Sequence, residues 1–119
     1  IADLGISKPC FFDKTFALTQ FNDDEKLLQS MLTKLAVLSE SYSAELQKDI
    51  PTIEMVRLVH SLKGIAGNLG FNRLLLCAQH TEQLLKVGDK SANAEIKELI
   101  IQLKQVHIYI KILDVSNDK

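Results

Sequence analysis

The chain has 119 residues, 46% of them hydrophobic and 24% charged, with a formal net charge of -1. That is enough chain for one domain with a real core and no metal or disulfide staples. Two prolines, five glycines and no tryptophan argue against a β-sandwich, which needs many turn residues, and the charge balance gives no basic field to draw in nucleic acid. Cys10 and Cys77 form no CxxC pair and indicate neither a zinc site nor a disulfide framework. No apolar stretch reaches transmembrane length, and no signal-peptide pattern opens the chain.

Residues 1–10, rich in small and turn-forming side chains, read as a linker or tail. The next segment, FFDKTFALTQF, predicts a short helix laying Phe12, Phe16 and Phe21 across the end of a bundle. From Asp23 to Gln47 a long helix is expected, with Asn22 or Asp23 as its cap and Asp24 and Glu25 in its first turn, near the positive dipole end. Leu28, Met31, Leu35, Leu38 and Tyr42 step by three and four and predict its apolar stripe.

A second long helix is expected from about Pro51, with Asp49 as candidate cap and Met55, Val59, Leu62, Ala66 and Leu69 inward. It should end at Gly70, where glycine takes the left-handed terminating conformation. The third helix follows from about Asn72 to Lys86, with Leu74, Ala78, Thr81 and Leu85 inward, and so short a connection implies antiparallel neighbours. Gly88 and Asp89 mark the next turn. A last helix from about Ser91 to Asp114 carries the most regular stripe, Ile96, Leu99, Leu103, Val106, Ile110 and Leu113, before a frayed tail at 116–119. The expected fold is all-α: an antiparallel up-down-up-down four-helix bundle over residues 11–115 with a short additional N-terminal helix.

The segment HSLKGIAGNLG, residues 60–70, carries the chemistry. At 100° per residue, His60, Gly64 and Gly67 lie on one side of the helix, opposite the buried Leu62, so the imidazole should face solvent. Each mid-helix glycine costs roughly 0.5–1 kcal/mol relative to alanine. Two of them on the face of an exposed histidine leave room for something to approach. Lys63, within one turn, offers positive charge to an anion, and a neutral imidazole is a good nitrogen nucleophile near pH 7. Together these suit a phosphoryl group in transit.

The segment resembles the phosphohistidine motif of histidine-containing phosphotransfer domains, H-x-L-K-G-x-(A/S)-x-x-(L/V)-G, matching it at His60, Leu62, Lys63, Gly64, Ala66, Leu69 and Gly70. The likeness covers roughly residues 12–113. It implies that His60 is a phosphoacceptor, attacking a receiver domain's aspartyl phosphate through Nε2 and passing the group to another receiver. It implies that Lys63 stabilises the charge and that Gly64 gives clearance. A Gln or Glu on the facing helix would orient the ring; Glu82 falls at that place, with Gln79 and Gln83 as neighbours able to share the role. Receiver docking is expected around Ser61, Gly67 and Asn68, with part of the short N-terminal helix.

No cofactor is expected on this chain, because the receiver would bring the Mg²⁺, and the sequence has no GxxxxGK[ST] or other ATP-binding signature, which makes it a carrier and not a kinase. The expected partners are response-regulator receivers, with no nucleic acid, no direct membrane contact and a monomeric isolated domain. The start without Met and the linker-like opening lead to the expectation of a cytoplasmic piece of a larger protein, a hybrid sensor histidine kinase of the inner membrane in first place and a free-standing carrier in second. Two rival readings are a bundle that docks a receiver without transferring, and a purely structural bundle. His80 and His107 lack comparable company and read as structural. Cys77 reads as a small buried hydrophobe, Arg73 as a solvated charge near the third helix's start, and Glu82 with Lys86, four residues apart, also fits a simple surface pair.

Overall fold

The computed structural model describes residues 11–117, with side chains to Leu113. Among the described residues the chain forms five helices and no strand: α1 Lys14–Gln20, α2 Glu25–Leu46, α3 Thr52–Leu69, α4 Asn72–Val87 and α5 Ala92–Asn117. The four long helices form an antiparallel up-down-up-down bundle. Each packs on its neighbour in a closed ring, α2 on α3, α3 on α4, α4 on α5 and α5 back on α2, while α1 leans on α2 and α3. The tail assigned to residues 1–10 lies outside the described residues, as do residues 118 and 119; Ser116 and Asn117 continue α5.

The core follows the three-four spacing on every long helix. On α3 all five expected positions, Met55, Val59, Leu62, Ala66 and Leu69, are buried. On α5 Leu99, Leu103, Val106 and Ile110 are buried, with Ile96 and Leu113 at the margin. On α4 Leu74, Ala78 and Thr81 are buried as expected and Leu85 only partly. Sequence and structure differ on α2, where the stripe is rotated. Leu28, Leu32, Leu35, Ala36, Ser39 and Leu46 face inward, whereas Met31 and Tyr42 sit at the edge and Leu38 is exposed. Three-four steps from Leu28 can be drawn along two adjacent lines, and packing against α5 selects the second. His107 of α5 fixes this seam: its Nδ1–H reaches Ala36 O at 2.8 Å and lies 3.1 Å from Ser39 Oγ, while Ser39 Oγ itself donates to Ala36 O.

The caps also differ from expectation. Asp24, not Asn22 or Asp23, caps α2, accepting from Leu27 N at 3.0 Å. Asn22 and Asp23 instead take left-handed backbone angles, φ 55° and 60°, in the turn before it, a conformation short polar side chains tolerate. Asp49 does not cap α3, which starts after Pro51 with no side-chain cap; the fixed proline φ already suits a helix start. In α1 it is Ala17 that is buried, while Phe16 is 43% exposed. Asp13 caps α1 through Phe16 N.

One end of the bundle is sealed by aromatic rings. Fully buried Phe71 stacks on Phe12 at 4.6 Å and meets Phe11 edge-on at 5.8 Å, and Tyr109 of α5 closes the group. Gly70 makes the α3–α4 turn possible. Its φ is +77°, and an added Cβ would fall 2.6 Å from Asp13 O, so any side chain would be both strained and obstructed. Asp13 N donates to Gly70 O at 2.8 Å, tying the segment before α1 to this turn.

Candidate functional site

The tight turn at Gly70–Phe71 sets the register between α3 and α4. In an antiparallel helix pair, residues equally far from the turn lie at the same height. His60 and Glu82 are each eleven residues from Phe71, and they meet: His60 Nδ1 lies 2.9 Å from Glu82 Oε2. The imidazole is on the outer edge of α3, 64% exposed, whereas the Glu82 side chain is only 5% exposed. A buried carboxylate therefore holds the inner nitrogen of an exposed ring. Since a carboxylate only accepts, Nδ1 carries the proton and Nε2 is the unprotonated nitrogen of the neutral ring.

Glu82 is kept charged by its surroundings. Lys63 Nζ sits 2.7 Å from Oε1 and Lys86 Nζ 3.2 Å from Oε2. The Lys63 hydrogen bond is the main cause, with those from His60 and Lys86 adding to it; against the opposing cost of burial they hold the Glu82 carboxyl down to about 2. A buried carboxylate is tolerated only with such partners. Lys63 thus points at Glu82 rather than into open solvent beside the ring. It lies one turn from His60 on the same helix.

Gly64, exposed one turn after His60, has nothing within 4 Å of where a Cβ would lie. The surface beside the ring is open for that reason. Gly67 is half-buried, and a Cβ there would make ordinary contact with Leu75 Cδ1 at 3.7 Å, so it lies against α4 as well as on the His60 face. Ser61 is exposed on α3. Asn68 is exposed at a shallow cleft with Gln20, Phe21, Met31 and Ile65, which joins α1 to the same face. Gln79 and Gln83 are exposed on α4, and the ring's partner is Glu82 rather than either of them.

The remaining histidines are elsewhere: exposed His80 pairs with Glu95 at 3.0 Å, and His107 is the structural anchor of the α2–α5 seam. Cys77 is partly buried, and burial, with Glu95 and Glu98 nearby, pushes its thiol up to about 12, far from a reactive thiolate. Arg73 lies 5.7 Å over the Phe11 ring and so helps to close the aromatic end. No group of His, Cys, Asp and Glu among the described residues is arranged to hold a metal ion. None of the described helices is long and apolar enough to cross a membrane. Lys86 is the site residue that sequence reading missed as such. Its four-residue spacing from Glu82 was visible, but that Glu82 is buried, which turns a surface pair into part of the site, was not.

The Hpt domain model matches residues 25–109, from the first residue of α2 to the last turns of α5. The chain belongs to the Hpt family. No curated protein and no solved structure matches it. As an Hpt domain it is a phosphocarrier module of two-component signalling, working by histidine phosphotransfer in phosphorelays with receiver domains. The match covers the four-helix bundle and leaves α1 outside.

Proposed function

We propose that His60 is the phosphoacceptor of this Hpt domain and that it relays a phosphoryl group between the aspartates of two receiver domains. The observation that carries the reading is the pairing of an exposed imidazole with a buried, ionised carboxylate: His60 Nδ1 at 2.9 Å from Glu82 Oε2. In the forward step the Nε2 lone pair attacks the phosphorus of an aspartyl phosphate. The new P–N bond forms as the P–O bond breaks, and the aspartate carboxylate leaves with the electron pair. The Nδ1 proton stays on the ring, so the phosphorylated imidazole carries a formal positive charge facing Glu82. In the return step a second receiver's carboxylate attacks the phosphorus and the P–N electrons go back to Nε2.

Transfer of this kind depends on positioning and charge stabilisation more than on covalent work by the protein. Glu82 fixes tautomer and ring orientation, Lys63 supplies positive charge, and Gly64 leaves the incoming receiver its path. Ser61, Gly67 and Asn68, with the α1 edge at Gln20 and Phe21, form the surface on which the receiver rests. The receiver brings the Mg²⁺; this chain contributes no cofactor and acts as a monomer.

Incubation with a phosphorylated receiver and Mg²⁺ tests the reading. Acid-labile, alkali-stable label should appear on His60 and chase onto a second receiver. His60→Gln should abolish it while leaving receiver binding and the melting temperature nearly unchanged, because the ring is mostly exposed. Undiminished label in that variant refutes the assignment.

A further inference from the structure

Resting on the reading of His60 as phosphoacceptor, we infer that Lys86 is a positioning residue that takes over Glu82 when Lys63 turns to the phosphoryl group.

Two demands meet on one cation in the resting site. Lys63 lies one turn from His60 on the same helix, yet its ammonium is committed to Glu82 Oε1 at 2.7 Å, the short distance of a charge-assisted hydrogen bond. An ammonium has three N–H donors, and to the extent that Lys63 turns them to a group on Nε2 it loosens its hold on Glu82. Glu82 is then deprived of its closest cation while 95% of its side chain is out of water, and a buried carboxylate without its partner is strongly unfavourable.

Lys86 resolves the conflict. It sits on α4, four residues after Glu82, with its Nζ 3.2 Å from Oε2, the oxygen that also faces His60 Nδ1. This contact lies within one helix, in the favourable order of acid before base. It does not depend on how α3 moves or on which way Lys63 points. The two lysines also differ in their surroundings: the Lys63 side chain is 28% exposed and that of Lys86 60%. One is held in the wall between the helices, and the other approaches from solvent on a flexible stem that can follow the carboxylate.

The charge count agrees. With a neutral ring, one carboxylate faces two ammonium groups, leaving one positive charge in excess. A dianionic phosphoryl group arriving on Nε2 therefore meets a site able to release Lys63 and still keep Glu82 compensated, by Lys86 and by the Nδ1–H of the phosphorylated ring. With Lys86 absent, Lys63 alone divides its donors between Glu82 and the phosphoryl group.

Inorganic phosphoramidate, a chemical donor to histidine, permits a test on the whole chain with no receiver. Lys86→Gln and Lys86→Arg are compared with the unsubstituted chain in two readouts: the lifetime of phosphohistidine, and the nitrogen NMR signals of the His60 ring before and after labelling. In Lys86→Gln the ring should keep its Nδ1–H form before labelling, because Lys63 still holds Glu82. After labelling, the less compensated Glu82 should hold the Nδ1 proton more firmly, and because the protonated ring is the better leaving group the phosphohistidine lifetime should fall about fivefold, the factor that corresponds to one partly exposed ion pair. Lys86→Arg should restore both. Identical lifetimes and ring signals in Lys86→Gln and the unsubstituted chain overturn the inference. So does an equal disturbance before and after labelling, which marks Lys86 as a standing support of Glu82. Label absent from His60 in the unsubstituted chain refutes the phosphoacceptor reading itself and the inference with it, whereas label present with no Lys86 effect refutes the inference alone.

Discussion

Replacing Glu82 by glutamine preserves the shape of the side chain and an acceptor for the His60 ring but removes the charge. The structure sets the size of the effect. The carboxyl is held down from 4.5 to about 2, and each tenfold change in proton affinity is worth about 1.4 kcal/mol, so ionisation of this one group stabilises the fold by about 3 kcal/mol. The folded-state value lies below the unfolded one, so this stabilisation is fully present above pH 4.5 and is lost as pH falls towards 2. Urea unfolding of the wild type and Glu82→Gln, followed by circular dichroism at a series of pH values, measures it directly. The wild-type advantage should narrow by about 3 kcal/mol between pH 6 and pH 2, more than half of that loss falling above pH 3. In melting temperature this corresponds to a gap closing by roughly 10 °C. Because both proteins share every other carboxylate, their difference isolates Glu82. A gap that stays constant across the range would show that Glu82 is not held ionised by Lys63, Lys86 and His60, and the account of the ring's tautomer would fall with it.

Gly64 separates stability from access. With open space at its Cβ position, Gly64→Ala should raise stability by about 0.5–1 kcal/mol, while a bulky residue such as Phe there should fold normally and slow transfer from a receiver at least tenfold; unchanged transfer in Gly64→Phe would remove the clearance argument. Phe71→Ala should cost about 3–5 kcal/mol in urea unfolding, since the ring is fully buried between Phe12, Phe11 and Tyr109; a loss under 1 kcal/mol would mean that the aromatic end does not hold the turn.

The α3–α4 hairpin was readable in the sequence because its signals agree. A clean apolar stripe ends at a glycine that alone can make the turn, and a second helix starts at once, so the register, and with it the pairing of His60 with Glu82, follows from counting. On α2 the signals conflict. Apolar side chains there are abundant enough that both Leu28–Met31–Leu35–Leu38 and Leu28–Leu32–Leu35–Ser39 look like faces, and only contact with His107 and the α5 core decides between them. Ser39 is buried and polar, and no hydropathy pattern would have chosen it over Leu38. The polar run at 22–25 offered several caps, and the backbone used Asp24 because Asn22 and Asp23 were needed to turn the chain. The roles of Lys63 and Lys86 depend on Glu82 being buried, a property of packing that spacing alone does not reveal.

The hairpin also bears on how the site comes into being. The residues that define its chemistry, His60, Lys63, Glu82 and Lys86, lie within 27 consecutive positions, and the single reversal between them is fixed by one glycine. Contacts of such short sequence separation close quickly and at small entropic cost. Bringing the reactive pair together therefore closes a far shorter loop than bringing α5 back to α2. Sequence drift in the outer pair of helices can then alter the bundle's far side, its stability and whatever it touches there, without unmaking the nucleophile's setting.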